Sequence, residues 1–334
     1  MALYAIDDLE DAWVATREFL TPFSIKRLSV LAVIVLFVGG TSVPGGGGTG
    51  GTGGAEPASG SDLEIVRGFL VENLFAIGLL VGAVLAVGLA FLLVGSVMEF
   101  VFVESLRTDE VRFWGYARGH FEQGLRLFGF RVALGIVSLL AIAVVAGSGL
   151  LAAGTLPTAE VGGLLFALAA FVSGLALVLV AVVDAFTTAF VVPVMLVRDS
   201  GVIAGWRAFR STLVGAWRQY LAYAIAALVL EVVAGIVFGL LLAVVAVVLV
   251  IPLAVVVGAV ALLAAETLLV AVAVVLGLPF VALLILAALL IQVPIRTYLR
   301  YYALFVLGDT DRTLDPIPEV RRAVRSADGR QAAL

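Results

Sequence analysis

Residues Phe190–Tyr220 read FVVPVMLVRDSGVIAGWRAFRSTLVGAWRQY. An apolar run arrives and ends at Leu196, Val197, Arg198 and Asp199. An amphipathic segment carrying Trp206 and Arg210 follows, and a second apolar run leaves after Arg218. Looser versions of this arrangement recur elsewhere, and the rest of the chain is read outward from it.

Both flanking runs are long enough to cross a bilayer, which takes about 20 apolar residues in a helix. The chain has 334 residues, of which 63% are hydrophobic and 13% charged, with a mean hydropathy of +1.21. A soluble domain carries about a quarter charged residues, so the composition predicts a polytopic, all-α membrane bundle. The net charge of −4 says little about partners when most of the surface faces lipid. Cysteine is absent, which excludes disulfides, thiol catalysis and thiolate metal sites. Arginine outnumbers lysine 19 to 1, and with the acidic ends this hints at a GC-rich genome and a salt-adapted archaeon. Asp7, Asp8, Glu10 and Asp11 argue against a cleaved secretory leader, whose first part is basic.

In chain order, residues 5–20 predict an amphipathic helix, with Ile6, Leu9, Trp13, Thr16 and Leu20 spaced by threes and fours. The first span is read as Leu28 to Pro44. Residues 41–60 form a Gly-rich outer loop, and Ser61 with Glu64 opens the next helix as a capping box. Further spans are read at Leu74–Met98, Val132–Ala153, Val161–Val197, Tyr220–Ile251 and Thr267–Val293, with the last continuing as helix to Leu307. Residues 309–334 are read as a polar cytoplasmic tail on a single membrane domain of residues 1–308.

The 77 residues 219–295 are almost unbroken hydrophobicity and could hold two spans or three. Charge decides. With six spans and the N-terminus inside, the cytoplasmic segments hold three, five, four and seven Lys and Arg residues, and only Arg67 lies outside. Cytoplasmic enrichment in Lys and Arg is the general rule, so six spans are assigned, with both termini cytoplasmic. Pro252–Glu266 then becomes an outer turn or interfacial segment.

Three cytoplasmic segments share an acid, a Trp and an Arg four residues on. They are Asp8…Trp13…Arg17, Asp109…Trp114…Arg118 and Asp199…Trp206…Arg210. Trp and Arg at that spacing share a helix face. Returning spans end alike at Leu106–Asp109, Leu196–Asp199 and Leu307–Asp309, which suggests three repeated hairpins over residues 1–106, 107–197 and 198–308. The plainer reading is that Trp and Arg are simply enriched at interfaces.

Glu99, Asp184 and Glu231 lie within spans, where an ionisable residue is a functional candidate. Helix rise places all three near one level on the cytoplasmic side, and Arg131, Arg296 and Arg300 approach that level from other helices. We expect a polar cluster of these six residues. Its first reading is a lock between helices; a proton or ion relay and a lipid-headgroup site are the alternatives. Gly78 with Gly82, Gly235 with Gly239, and Ala170 with Gly174 have the spacing of close helix packing. Asp309-Thr310-Asp311-Arg312-Thr313 matches the DxDxT signature of aspartate-nucleophile phosphatases, but a membrane helix precedes it and no α/β domain follows. His120, the sole histidine, is read as solvated. No cofactor, metal or catalytic constellation is indicated. The expected partners are the lipid bilayer and another membrane protein; nucleic acid is not, because acids and bases are mixed on the cytoplasmic segments.

The stretch PVMLVRD (193–199) leading to AGWRAFR (204–210) resembles uncharacterised six-helix membrane proteins of haloarchaea. More distantly it is similar to the membrane domain of some bacterial glycerophosphoryl diester phosphodiesterases. AIDDLEDAWVATREFL (5–20) and YYALFVLGDTD (301–311) fit the haloarchaeal group. The resemblance covers nearly the whole chain and implies an all-helical membrane fold. The phosphodiesterase catalytic domain is absent, so no activity comes with it. The function expected from sequence is a non-enzymatic scaffold, assembly or partner-binding module. A carrier for a lipid or small solute is the alternative, and a membrane-embedded enzyme comes third.

Overall fold

The computed structural model describes residues 4–21, 24–39, 72–154, 159–263 and 266–331, and the regular structure among them is entirely helical. The helices are α1 Tyr4–Leu20, α2 Ile25–Gly39, α3 Leu74–Thr108, α4 Phe113–Gly119, α5 Phe121–Gly154 and α6 Ala159–Phe186. A π turn, Thr187–Val191, leads into α7 Val192–Arg198. Then come α8 Val202–Gly215, α9 Trp217–Leu263, α10 Glu266–Thr310, a 3-10 turn Arg312–Leu314 and α11 Pro318–Gln331. The Gly-rich loop, Ser61, Glu64 and Arg67 fall outside the described residues, as does the end of the first predicted span.

Composition makes these segments helical, and length makes them candidate spans. Among the described residues, five helical stretches are long and apolar enough to cross a membrane: Leu74–Thr108, Phe121–Ala152, Glu160–Arg198, Trp217–Ala261 and Val274–Thr310. These stretches are compatible with a multi-pass membrane protein. Their apolar side chains are largely uncovered by protein; Phe75 is 85% exposed and Leu164 71%. Water would not tolerate so much contiguous apolar surface, whereas lipid requires it.

The chain divides into two compact units. The first comprises Met1–Ala15, Ser96–Tyr223 and Arg300–Leu334; the second comprises Thr16–Gly95 and Ala224–Leu299. In the first unit, three helix ends supply most of the buried core. Phe100, Phe102 and Leu106 come from α3, Phe190 to Leu196 from the π turn and α7, and Tyr301 to Leu307 from α10. Phe190 lies at the centre, stacked on Phe209 of α8 at 5.2 Å and edge-on to Tyr220 and Tyr223 of α9 at 5.0 and 4.8 Å. Offset and edge-to-face aromatic pairs of this kind add about 0.5–1.5 kcal/mol each beyond the area they bury. The long pair α5 and α6 runs antiparallel, with Gly149 against Phe166 and Gly162 against Ala152. In the second unit, α2 lies close to α3, where Gly95 faces the Phe37 carbonyl and Phe37 meets Phe91 at 5.4 Å.

Three expectations change. Pro252 does not end its span: α9 continues through it to Leu263. A proline inside a helix removes one hydrogen bond and kinks the chain, but flanking helix of this apolarity has no better state available in lipid. The residues 309–334 are not simply a polar tail, because they include α11 and bury Leu314, Ile317 and Val324. Four of the glycines spaced for packing stand open: among the described residues, nothing lies within 4 Å of a Cβ built on Gly78, Gly82, Gly174 or Gly239. Close approach occurs instead at Gly124, whose Cβ would lie 2.9 Å from the Val97 Cα, and at Gly205, 2.9 Å from a Val191 methyl.

Candidate functional site

The centre of the candidate site is a backbone irregularity. Within the π turn, the Val192 amide donates to the Thr187 carbonyl, five residues back. The next amide that could reach the Thr188 carbonyl belongs to residue 193, which is proline and has no N–H. The Thr188 carbonyl is therefore left without a backbone donor. Arg300 of α10 supplies one, its Nη1 donating to the Thr188 oxygen. Arg131 of α5 donates through Nη2 to the Thr188 hydroxyl at 2.9 Å. The indole Nε1 of Trp206 donates to the Thr187 hydroxyl at 3.0 Å, which seats α8 on the same turn. Single π turns inside α-helices are frequent at functional sites.

Around this turn the structure gathers four of the six expected charges. Glu99 on α3 is 1% exposed and holds both guanidinium groups. Arg300 Nη2 donates to its Oε2 and Arg131 Nη2 approaches its Oε1 at 3.4 Å. Arg131 also faces Asp184 of α6 through Nε at 3.4 Å. Two carboxylates and two guanidiniums balance in charge, and four helices, α3, α5, α6 and α10, each supply one. A buried charge costs several kcal/mol unless it is paired and hydrogen-bonded. Here Glu99 and both arginines are met from more than one side, whereas the Asp184 side chain is 38% exposed.

Glu231 and Arg296 form their own pair in the second unit, at 3.4 Å, with Glu231 45% exposed. Ala234, Phe238, Gln292 and Ile295 line a shallow recess beside them. The six residues are thus a group of four and a group of two.

The Trp and Arg positions of the sequence pattern differ in environment. Trp206 turns inward onto Thr187, whereas Trp13 and Trp114 are 62% and 71% exposed. Arg17, Arg118 and Arg210 are exposed. Asp109 and Asp199, three residues after Leu106 and Leu196, share a left-handed backbone with φ of 54° and 44°. Aspartate tolerates that region better than most residues, and both end a helix there. His120 is half-buried rather than solvated. Its Nδ1 lies 3.0 Å from Gln123 Oε1, Gln123 Nε2 donates to Asp199 Oδ1 at 2.7 Å, and the ring stacks with Phe100.

The DxDxT segment has structural work. Asp311 caps the 3-10 turn, accepting from the Thr313 amide at 2.9 Å and hydroxyl at 2.7 Å. Those hydrogen bonds hold its carboxyl below the usual range. Thr212 at the end of α8 donates to it as well, at 3.0 Å. Asp309 receives Arg321 and Arg325 of α11. Sequence reasoning missed this second ionic group, which joins α1, α10 and α11. Its signal was the alternation of Asp and Arg between Asp309 and Arg325, obscured by reading the segment as a tail.

Among the described residues, no cluster of His, Cys, Asp and Glu has the geometry to hold a metal ion. A family model described as "Family of unknown function (DUF7544)" matches residues 3–317. No curated protein and no solved structure matches the chain.

Proposed function

Because the chain belongs to DUF7544, a family of unknown function, we propose its role from its own residues: a non-enzymatic membrane module that binds an apolar helix of another membrane protein. It crosses the bilayer six times as three hairpins, with both termini cytoplasmic and α4 and α8 at that surface. The charge asymmetry of the connecting segments supports this orientation, and the shared backbone of Asp109 and Asp199 supports a repeat.

One observation carries the partner-binding reading. After Glu231, residues 232–263 of α9 contain no charged or hydrogen-bonding side chain. At 1.5 Å per residue those 32 residues cover about 48 Å, against a hydrocarbon core of about 30 Å. Tilt alone would have to reach about 50°, beyond the usual 0–40° range. Ile251 and Val255 are 59% and 66% exposed near that end. A partner's apolar surface covers what the bilayer does not.

Native mass spectrometry of the protein released gently from its own membrane tests this. The expected result is a stoichiometric protein partner that is lost on Val255→Ser. A second reading, a carrier for a lipid or small solute, draws on the partly exposed carboxylates of Asp184 and Glu231. Its sign would be a bound lipid or solute lost in Asp184→Asn or Glu231→Gln. A monomer that carries neither protein nor small molecule overturns both readings. The cysteine-free chain also allows single cysteines at residues 50, 110 and 200 to report sidedness. The expected outcome is labelling from outside at 50 alone.

A further inference from the structure

Helix α11 is held by an arrangement that is short of positive charge. Asp8 of α1 is fully buried. Its Oδ1 accepts from Arg325 Nη2 at 3.3 Å, but its Oδ2 is buried and, among the described residues, no donor is directed at it. Its neighbour is the carboxyl of Asp309 at the end of α10, which is itself taken by Arg325 at 2.6 Å and by Arg321. Among the described residues, the remaining charged groups of the cluster are Asp11 on α1, 2.8 Å from Arg325, and Asp315 in the linker, 3.0 Å from Arg321, so that four carboxylates face two guanidiniums.

A buried carboxylate oxygen without a donor is costly, and a second carboxylate beside it makes it more so. A protonated carboxyl removes both problems, since its O–H becomes a donor and Asp309 is the acceptor within reach. We propose that Asp8 and Asp309 hold one proton between them, and that loss of this proton loosens α11 from α1: a pH-operated latch on the first unit.

The packing says what the latch covers. Arg321 also donates to the Leu304 and Phe305 carbonyls at 3.3 and 3.1 Å. Gly308 leaves it room, since a Cβ there would collide with the guanidinium. Leu314, Ile317 and Val324 are buried under the same segment. Opening bares these apolar side chains and the end of α10.

The sign follows from linkage. Desolvation, then the hydrogen bond and charge of Asp309, push Asp8 up to about 8, against 3.8 for an ordinary aspartate, while Arg321 and Arg325 pull the other way. The latched form thus keeps its proton over a range where the open form has lost it. Opening releases a proton, so the open population rises up to about tenfold per pH unit and levels off above about pH 8. The latch is tighter in acid and weaker in base.

Hydrogen exchange of the full chain in nanodiscs reads this directly. Protection of residues 318–331, corrected for intrinsic exchange, is expected to fall by up to about a hundredfold from pH 6 to pH 8 and then to flatten. Peptides from α5 and α6 serve as the control for global opening. Asp8→Asn, whose amide can donate to Asp309, is expected to keep the protection and lose the pH dependence. Asp309→Asn relieves the same repulsion and is the second variant should Asp8→Asn fail to fold. A flat wild-type profile, or a slope that persists in both variants, overturns the latch.

Discussion

The first half of α3 and its last turns are both rich in large apolar side chains, and those side chains meet opposite fates. From Leu74 to Phe91 the large side chains lie open, with Leu79 68% and Val84 63% exposed. From Val97 to Leu106 the apolar ones are covered, with Phe100, Val101 and Val103 at 0%. Polarity separates the two regions. The open region is free of charge, whereas the covered one carries Ser96, Glu99 and Ser105, all buried. Lipid solvates a leucine as well as a protein core does, so apolar surface gives membrane helices little reason to associate. Groups that lipid cannot solvate supply the reason. Along α3, buried polar residues accompany the covered apolar ones, and the stretch without them is the exterior.

The contrast can be broken at graded cost. Glu99→Ala leaves Arg131 and Arg300 buried without their shared carboxylate, and uncompensated buried charge costs about 3–5 kcal/mol. Denaturation in mild detergent should show the largest loss of stability for this variant. Next comes Gly124→Ala, where the new methyl meets the Val97 backbone at 2.9 Å. Overpacking of this kind costs about 1–3 kcal/mol, and the same assay should place it second. Asp184→Asn alters a side chain 38% exposed and held by one contact at 3.4 Å. An ion pair that open contributes about 0–1 kcal/mol, so its melting point should stay near that of the wild type. Gly82→Ala, at an open lipid-facing position, should leave stability unchanged or raise it by up to about 1 kcal/mol through helix propensity. A marked loss at Gly82 would mean that the open half of α3 has a protein neighbour after all.

Legibility in the sequence followed the same division. The long helices were visible because an uncharged run of twenty residues has one stable form in a bilayer. The acids and arginines stood out because so few charges interrupt those runs. Their grouping was less visible. Depth along each helix was calculable, but rotation about the axis was not, and rotation sends Arg131 to Glu99 and Asp184 while Arg296 meets Glu231. Glycine spacing misled for a related reason. GxxxG marks a face capable of close approach without saying whether a neighbour occupies it: Gly205, four residues after Gly201, is closely met by Val191 and Met195, whereas Gly78 and Gly82 have the same spacing and stand open, and Gly124 packs on Val97 outside any such pair. Pro252 and Pro193 look alike in sequence. One sits in continuous helix, and the other follows a π turn whose Thr188 carbonyl accepts from Arg300.

That π turn also sets a register. It holds one residue more than an α-helical turn would, and one residue corresponds to a rotation of about 100° around the helix axis. Before it, Val178, Leu179 and Val182 look outward; after it, Val192, Pro193, Val194, Met195 and Leu196 are all buried. Deleting a single residue between Thr187 and Val191 would therefore act as a turn of a key. Every later side chain of α7 would swing by more than a quarter circle, carrying Met195 away from Gly205 and Leu196 off the core.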